Sequence, residues 1–373
     1  MNTLVIGGGP AGSTASLLLA RAGHSVTLLE RDAAPRDEVC GEFISAEGCD
    51  TLRRIGLDPR ALGGQPIDTM RLSRRGRSVA TKLPFHAVGL SRTVLDTALL
   101  KLAVAEGVEV RPGTRVIRLS CDVNRWVADT PAGPITAERV LLATGKSDLR
   151  GVERVTPPPE RLIGLKVHLR LNPAQTEALR GAVEIAVLRH GYAGLQLVEG
   201  GLTNLCLLVE REHFARLGQD WATLLADIGR DCSALGRRLA GAETVGGKPL
   251  AIYQVPYGHV HRPEIADPAG LYRLGDQAAV IPSFCGDGIS IALHTAEAAA
   301  TAVLNGATAF NYHTALQRDV GDGVRLAFRI YRIAKAPLGA AAMMTACDLW
   351  PGLLRVAARA TRVRGRPLDW SAA

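Results

Sequence analysis

The first thirty residues constrain this chain more than any other stretch. Leu4-Val5-Ile6 is a short apolar run that reads as a buried parallel strand, and it leads directly into Gly7-Gly8-Gly9-Pro10-Ala11-Gly12. Ser13 to Ala22 is rich in Ala and Leu, with no internal Gly or Pro, and predicts a helix that Gly23 stops. Ser25 to Leu29 predicts a second strand, with Glu30 at its end, 18 residues after Gly12. Strand, glycine turn, helix, strand and acid in this order form the dinucleotide-binding fingerprint. Gly7 permits the tight turn, Gly9 lets backbone approach a pyrophosphate, and Gly12 lets the helix pack closely on the strand. The helix N-terminus offers free N–H groups and a positive dipole end to phosphates. The Glu30 carboxylate can accept from a ribose hydroxyl.

Composition excludes several alternatives. At 373 residues the chain is long enough for two or three domains, and 47% hydrophobic with 21% charged residues describes a globular protein. The net charge is +8, mostly from arginine, yet no dense basic run or basic–aromatic interleaving occurs, so nucleic acid is not an expected partner. The seven cysteines, at 40, 49, 121, 206, 232, 285 and 347, show no CxxC spacing and no Cys/His cluster. Free thiols in a reducing, cytoplasmic setting are expected, and no metal site. Tyr257-Gly258-His259-Val260-His261 lacks a third ligand nearby. The chain starts on its first strand, so no leader is expected, and no apolar run reaches the ~18 residues that span a bilayer.

The chain reads as interrupted α/β. A βαβ unit over 1–32 is followed by a helix near Ala46–Ile55, a hairpin around Met70–Leu83, a helix over Arg92–Glu106 and short strands, ending in the apolar strand Arg139–Ala143. Residues 151–262 alternate in the manner of an antiparallel sheet, with helical stretches at Pro173–Arg180 and His213–Arg230. Leu271–Asp276 returns as a last strand of the first unit, and the chain is helical beyond Pro282. The expected domains are therefore a discontinuous nucleotide-binding domain (1–150 and 263–306), a substrate-binding sheet domain (151–262) and a helical region (307–373). Leu338 to Met344 is apolar all round, which predicts burial against the body or an interaction surface, with burial favoured. Gly321-Asp322-Gly323, between helical segments, predicts a helix break.

Separate elements point to a flavin. A strand ending in Gly275-Asp276 precedes Pro282 and Gly286-Asp287-Gly288, which open a helix over Ile289–Asn305. Asp276 can accept from a ribityl hydroxyl. The glycine turn offers N–H groups and a helix dipole to negative charge on a reduced isoalloxazine edge. Ala143-Thr144-Gly145 provides a third close backbone approach.

These motifs, with Glu30-Arg31, Arg92-x-x-Leu95-Asp96 and Gly275 to Pro282, make nearly the whole chain resemble the FAD oxidoreductases that include p-hydroxybenzoate-hydroxylase-type monooxygenases, flavin-dependent halogenases and geranylgeranyl reductases. The resemblance implies an α/β chain. It would have a Rossmann-type, glutathione-reductase-like FAD-binding domain, an interleaved antiparallel substrate domain and a helical C-terminus. It implies FAD contacts from Gly7, Gly9, Pro10, Ala11, Gly12, Glu30, Arg31, Arg36, Cys40, Gly41, Arg92, Thr144, Gly145, Asp276, Pro282, Gly286, Asp287, Gly288 and Ile289. The segment Pro35 to Glu42 is similar to the reductase branch, where a Cys-Gly pair sits beside the ring. Gly191-Tyr192-Ala193-Gly194-Leu195 resembles the substrate motif of that branch without its second aromatic and Phe-Pro. The Trp-pair signature of halogenases is absent, as is a lysine placed to form a chloramine, which ranks halogenation low.

Cys40, Tyr192 and Cys285 are the candidate catalytic residues; Glu42 reads as an acceptor for Arg36, and His168 as structural. With no second nucleotide fingerprint, electrons must come from transient NAD(P)H docking or from a partner reductase. Ser147 and Arg150, at offsets related to the hydroxylase motif, tip the reading narrowly to monooxygenation (hydroxylation or epoxidation). The substrate would be small and lipophilic, aromatic or polyketide-like, of the kind met in secondary metabolism. The Cys-Gly-Glu segment supports the alternative, an FAD-dependent C=C reductase. A non-catalytic flavin-binding protein ranks last. Peripheral membrane contact is an open expectation, and oligomeric state is not legible.

Overall fold

The computed structural model describes residues 2–122, 125–156, 161–265 and 267–363, so the last ten residues of the expected C-terminal region lie outside it. The first sheet is parallel. β1 (Thr3–Ile6) leads into α1 (Pro10–Arg21) and β2 (Val26–Leu29). β6 (Glu109–Arg111), β10 (Arg139–Leu142) and β16 (Leu271–Arg273) complete the order β16-β10-β1-β2-β6. β1, β2 and all but the first residue of β10 are fully buried, as strands covered on both faces should be. Gly23, at φ +81°, ends α1 as a left-handed cap: its N–H reaches Ala20 O at 2.9 Å, and His24 N reaches Leu19 O at 3.0 Å. α3 (Arg92–Ala105), capped by Ser91, packs beside α1, and α8 (Gly288–Leu304) packs on it.

The second sheet has eight strands in the order β15-β11-β14-β13-β12-β4-β5-β3. They are β3 (Phe43–Ile44), β4 (Gln65–Arg74), β5 (Arg77–Gly89), β11 (Leu162–Arg170), β12 (Ala182–Leu188), β13 (Gly191–Leu197), β14 (Thr203–Glu210) and β15 (Glu243–Tyr253). The expected boundary at residue 150 is therefore crossed. β3, β4 and β5 pair into this large sheet, β4 running parallel to β12, because strand pairing joins segments that are distant in sequence. A small sheet of β7 (Arg118–Asp122), β8 (Arg125–Thr130) and β9 (Gly133–Ala137) stands apart.

Helices fill the gaps. α2 (Ala46–Arg54) lies against α8; α4 (Pro173–Leu179) joins β11 to β12. The helix expected over His213–Arg230 is two short ones, α5 (Arg211–Arg216) and α6 (Trp221–Asp231), because Gly218 at φ +71° and the Asp220 cap interrupt it, and α7 (Ser233–Leu239) follows. α9 (Ala309–Lys335) runs unbroken through Gly321 and Gly323, which corrects the expected break. Gly323 lies in the helix beside residues 361 and 362, where a Cβ would meet Thr361 O at an ordinary contact distance of 3.4 Å. α10 (Pro337–Leu349) and α11 (Gly352–Ala360) then fold back across β4, β5 and β12.

The registers fix one row of side chains across the face of the large sheet: Lys166, Cys206, Gly194, Ile185, Leu72 and Val79. The row is polar at β11, which meets the nucleotide-binding unit, and apolar at β5, which meets α10 and α11. The opposite face of β11, Leu165, Val167 and Leu169, packs with α6 and α7 in a separate core.

Gly191 tests this register. It sits at φ +153°, and a Cβ would fall 1.8 Å from Leu208 O on β14. Gly191→Val is expected to cost about 2–5 kcal/mol in chemical denaturation, because both strain and a backbone clash must be relieved.

Candidate functional site

Two uncapped helix N-termini open onto one cavity. α1 starts at Pro10 with Gly9 as its N-cap, and α8 starts at Gly288 with Asp287 as its N-cap; neither has a side chain capping its first N–H groups. A cavity of about 140 Å³ is lined by Gly9, Pro10 and Ala11 from one and Gly288 and Ile289 from the other. Its remaining walls include Cys40, Gly41, Arg92, Gly145, Asp276 and Gly286. The glycines explain why only this sequence makes the turn. A Cβ on Gly7, at φ +108°, would lie 2.4 Å from Ala143 O, and one on Gly12 would lie 1.9 Å from Gly7 O.

Other predicted residues lie elsewhere. Gly7 and Gly12 build the turn without lining the cavity. Glu30 closes the turn from outside: its carboxylate accepts from Gly8 N at 2.6 Å and from Asp32 N at 2.9 Å. Arg31 and Arg36 are half-exposed and ion-pair with Asp32 and Glu38. Thr144 bonds its own turn, donating to Ser147 O at 2.8 Å. Pro282 precedes the lining residue Ser283 without lining the cavity itself. Ser147 and Arg150 line neither this cavity nor the larger one beside it.

Asp287 turns its side chain inward, away from the cavity. Its fully buried carboxylate accepts from Ser45 Oγ and from Arg362 Nη1 at 3.1 Å each, and from Val363 N at 2.9 Å. Arg362 also donates to Cys285 O and lies over the Phe85 ring. A strap from the C-terminal end therefore fixes the turn Cys285–Gly288. Arg362→Leu leaves Asp287 buried without its cation, which is expected to cost about 3–5 kcal/mol in thermal or chemical unfolding. FAD affinity, read by fluorescence titration, is expected to fall with it.

A second buried charge cluster backs the Cys40–Glu42 segment. Glu42 is fully buried at φ +54°, and it is not an acceptor for Arg36. It accepts instead from Arg92 N at 3.0 Å, ion-pairs with Lys166 Nζ at 3.0 Å and pairs with His168 Nε2 at 2.7 Å. Asp37 faces the same pair, 3.2 Å from Lys166 and 3.4 Å from His168. Asp37, Glu42 and His168 are close enough to share a cation, but the Lys166 ammonium, almost wholly buried, already supplies that charge. Asn204 Nδ2 donates to Cys40 O at 3.0 Å and ties the segment to β14.

Burial opposes the charged form of His168, yet its bonds to Asp37 and Glu42 outweigh this and raise its pKa from 6.5 to about 9. Protonated His168 thus stabilises the fold fully below pH 6.5, and the contribution disappears as pH rises through 9, amounting to about 3 kcal/mol. His168→Gln is expected to lower stability near pH 6, with the difference from the parent protein shrinking above pH 9, as denaturant midpoints across pH will show.

Sequence reasoning missed Lys166, Lys146, Arg154 and Arg362. Lys146 lines the cavity, donates to Val39 O at 3.0 Å and lies 3.7 Å from Asp276. Burial opposes its charge, but Asp276 prevails and its pKa is raised. Buried Arg154 ties Asp148, Lys146 O and Asp276 O together. A lysine inside the apolar strand Leu162–Arg170 was the one available sign of a buried ion pair.

The larger cavity, about 410 Å³, shares Gly41, Phe43, Ser283 and Gly286 with the first. Apolar side chains from the sheet and from α9 to α11 wall it, among them Leu72, Ile185, Leu208 and Leu354. Tyr192 and Cys285 lie in this larger cavity, and Cys40 in the smaller. The buried Tyr192 hydroxyl sits beside Ser283 and Tyr257, and Tyr257 bonds Ser283 Oγ at 2.7 Å. Burial lifts the Tyr192 phenol well above its ordinary range and pushes the Cys206 and Cys285 thiols up to about 12, so all three stay protonated.

Residues 1–130 match the FAD binding domain family. A menaquinone reductase of Mycolicibacterium smegmatis is 25% identical, the alignment covering 90% of this chain and 86% of that protein. A tryptophan 2-halogenase of Chondromyces crocatus is 27% identical over 80% of this chain and 60% of its own length. Among solved structures, the flavin-dependent brominase Bmp2 superposes with a TM-score of 0.77 at 19% identity, covering 99% of this chain and 96% of that one. At that identity the likeness establishes the fold. No helix among the described residues is long and apolar enough to cross a membrane.

Proposed function

We propose that this chain, a member of the FAD-dependent oxidoreductase superfamily, reduces a C=C bond in a long apolar substrate. The observation that carries the reading is the larger cavity: it is apolar, it meets the flavin site at Gly41, Phe43, Ser283 and Gly286, and its hydroxyl and thiols nearest that junction are protonated. The menaquinone reductase relative, aligned along nearly the whole chain, supports the same direction.

The residues present fit FAD. The α1 N-terminus and Arg92 would hold the pyrophosphate, Asp276 the ribityl side, and the N–H groups of Gly288 and Ile289 the pyrimidine edge. Bound there, FAD supplies the hydride-transfer chemistry. The chain's own part is to position the substrate, exclude water and give a proton. Tyr192 OH is placed for the last step because burial keeps its proton on until a carbanion-like carbon needs it. Cys206, two residues before Leu208 on β14, is a second protonated donor on the same wall. The side chains able to act as a base, His190 and Glu210, lie at the far end of the cavity. Glu210 is six residues from Asn204, the residue bonded to Cys40 O, or about 20 Å along the strand.

Oxygen transfer is the second reading. The uncapped α8 N-terminus favours negative charge at the ring edge, a condition that suits reaction with O2 as well as hydride transfer. The narrow preference for it drawn from Ser147 and Arg150 loses its support, since neither residue lines a cavity. NAD(P)H or a partner reductase remains the proposed source of electrons.

Anaerobic turnover of chemically reduced protein decides between the two. With a panel of polyprenyl, quinone and phenolic compounds, the product is expected to gain two hydrogens without O2. Tyr192→Phe is expected to slow product formation by roughly 10²-fold with FAD content unchanged. A product that forms only with O2 and gains an oxygen atom would overturn the reductase reading in favour of oxygen transfer.

A further inference from the structure

The C-terminal helices present a surface that the proposed chemistry does not use. Twelve large hydrophobic side chains are exposed among the described residues, and five of them, Ile333, Leu338, Leu349, Trp350 and Val356, fall between residues 333 and 356. α10 is the core of this patch. Its inner face, Ala340, Met344 and Cys347, packs on Leu72, Val79 and Ile185 of the sheet. Its outer face, Leu338, Ala342, Thr345 and Leu349, has no charged residue of its own, Arg77 and Asp348 lying at its flank where Arg77 bonds Thr345, and Leu338 and Leu349 are 87% and 83% exposed. The expectation of burial therefore holds for one side of the helix only. An amphipathic surface helix normally turns charged residues of its own outward, so a mostly apolar outward stripe about 17 Å long requires a cause.

Charge around the stripe identifies the occupant. Arg325 is paired with Asp322, but beyond it, up to residue 360, lie Arg329, Arg332, Lys335, Arg355 and Arg359, all exposed, against the single acid Asp348. That acid is already paired with Arg77. Arg74, which donates to Pro337 O, adds a further cation beside the start of α10. An apolar stripe ending in a half-exposed tryptophan and ringed by arginines matches the acyl–headgroup boundary of a bilayer with anionic lipids. A folded protein partner would need acidic side chains facing each arginine, whereas a fluid anionic surface satisfies all of them at once.

We propose that the outer face of α10 and α11 docks this protein on an anionic lipid bilayer, with Leu338, Leu349, Trp350 and Val356 entering the interface and Arg332, Arg355 and Arg359 contacting headgroups. Leu353, Leu354 and Ala357 on the other side of α11 line the large cavity. Docking would thus set the cavity wall directly above the lipid. The proposal does not depend on the bond reduced, because binding is read without turnover.

Vesicle flotation of the FAD-loaded protein is the test. The protein is expected to float with vesicles of phosphatidylcholine and phosphatidylglycerol, and to float less as salt is raised. The double variants Leu338→Glu with Leu349→Glu, and Arg355→Glu with Arg359→Glu, should each weaken binding by roughly tenfold or more while retaining FAD absorbance. Brominated lipid should quench Trp350 fluorescence in the parent protein, a readout that needs no variant except Trp350→Phe as its control. Absence of flotation and quenching would overturn the proposal. So would equal binding to pure phosphatidylcholine that ignores salt. A dimer that dissociates on Leu338→Glu, in a protein that ignores vesicles, would overturn it too and make a second copy of the chain the occupant.

Discussion

The wall where the two cavities meet depends on a buried ion cluster that joins the large sheet to the loop after β2. Lys166 and His168 project from β11, and Asp37 and Glu42 from the loop after β2. Taking these groups out of water is costly, and a well-packed apolar contact would often serve stability as well. What an apolar contact would lack is direction. The cluster holds Glu42 in a left-handed conformation, at φ +54°, that an acidic side chain seldom adopts. That conformation places Cys40 and Gly41 at the wall where the two cavities meet. The strain and the desolvation are thus spent on one position of the backbone, and the site is built on that position.

The opposite wall is fixed by a matching device. Asp287, held by Arg362 and Val363 N, anchors the turn that opens α8, so its N–H groups point at the cavity and not into the core. Ser45 Oγ joins the two devices. It lies 3.1 Å from Asp287 and 2.7 Å from Ser290 Oγ, three residues along the chain from Glu42. The smaller cavity is accordingly clamped from both sides by carboxylates that do not face it.

The legible parts of this structure were those that one segment decides alone. The residues at 7 and 12 had to be glycines because backbone passes within 2.4 Å of both missing Cβ atoms, and such a demand leaves its mark in the sequence. The β1–α1–β2 unit, α3, β10 and the turn into α8 follow from local pattern for the same reason. Pairing between distant strands left no such mark. β4 and β5 read correctly as a hairpin, but nothing local told that β4 would run parallel to β12. β15 was not legible because it is a mostly exposed edge strand, with Gly246 and Gly247 in left-handed conformations and a register shift against β11. Ser147 and Arg150 misled because spacing within a motif does not say which way a side chain turns. Gln277 Nε2 donates to Gly145 O and Ser147 O, which closes that turn on itself.

The same distinction explains why the flavin is easier to read than the substrate. Phosphate and ribityl groups are held by backbone N–H groups and a few fixed polar residues, so their sites are written in glycines. An apolar substrate is held by area, and Leu72, Ile185 and Leu354 would be equally at home in a core that binds nothing. Only the folded arrangement separates the two cases, by leaving about 410 Å³ unfilled between them. A core of ordinary density leaves few voids larger than a water molecule, so side chains of this size around such a space have been kept apart. The sheet holds one side apart and α10 and α11 the other, and Tyr192, Ser283 and the Cys40–Gly41 wall converge at the end where this space meets the smaller cavity.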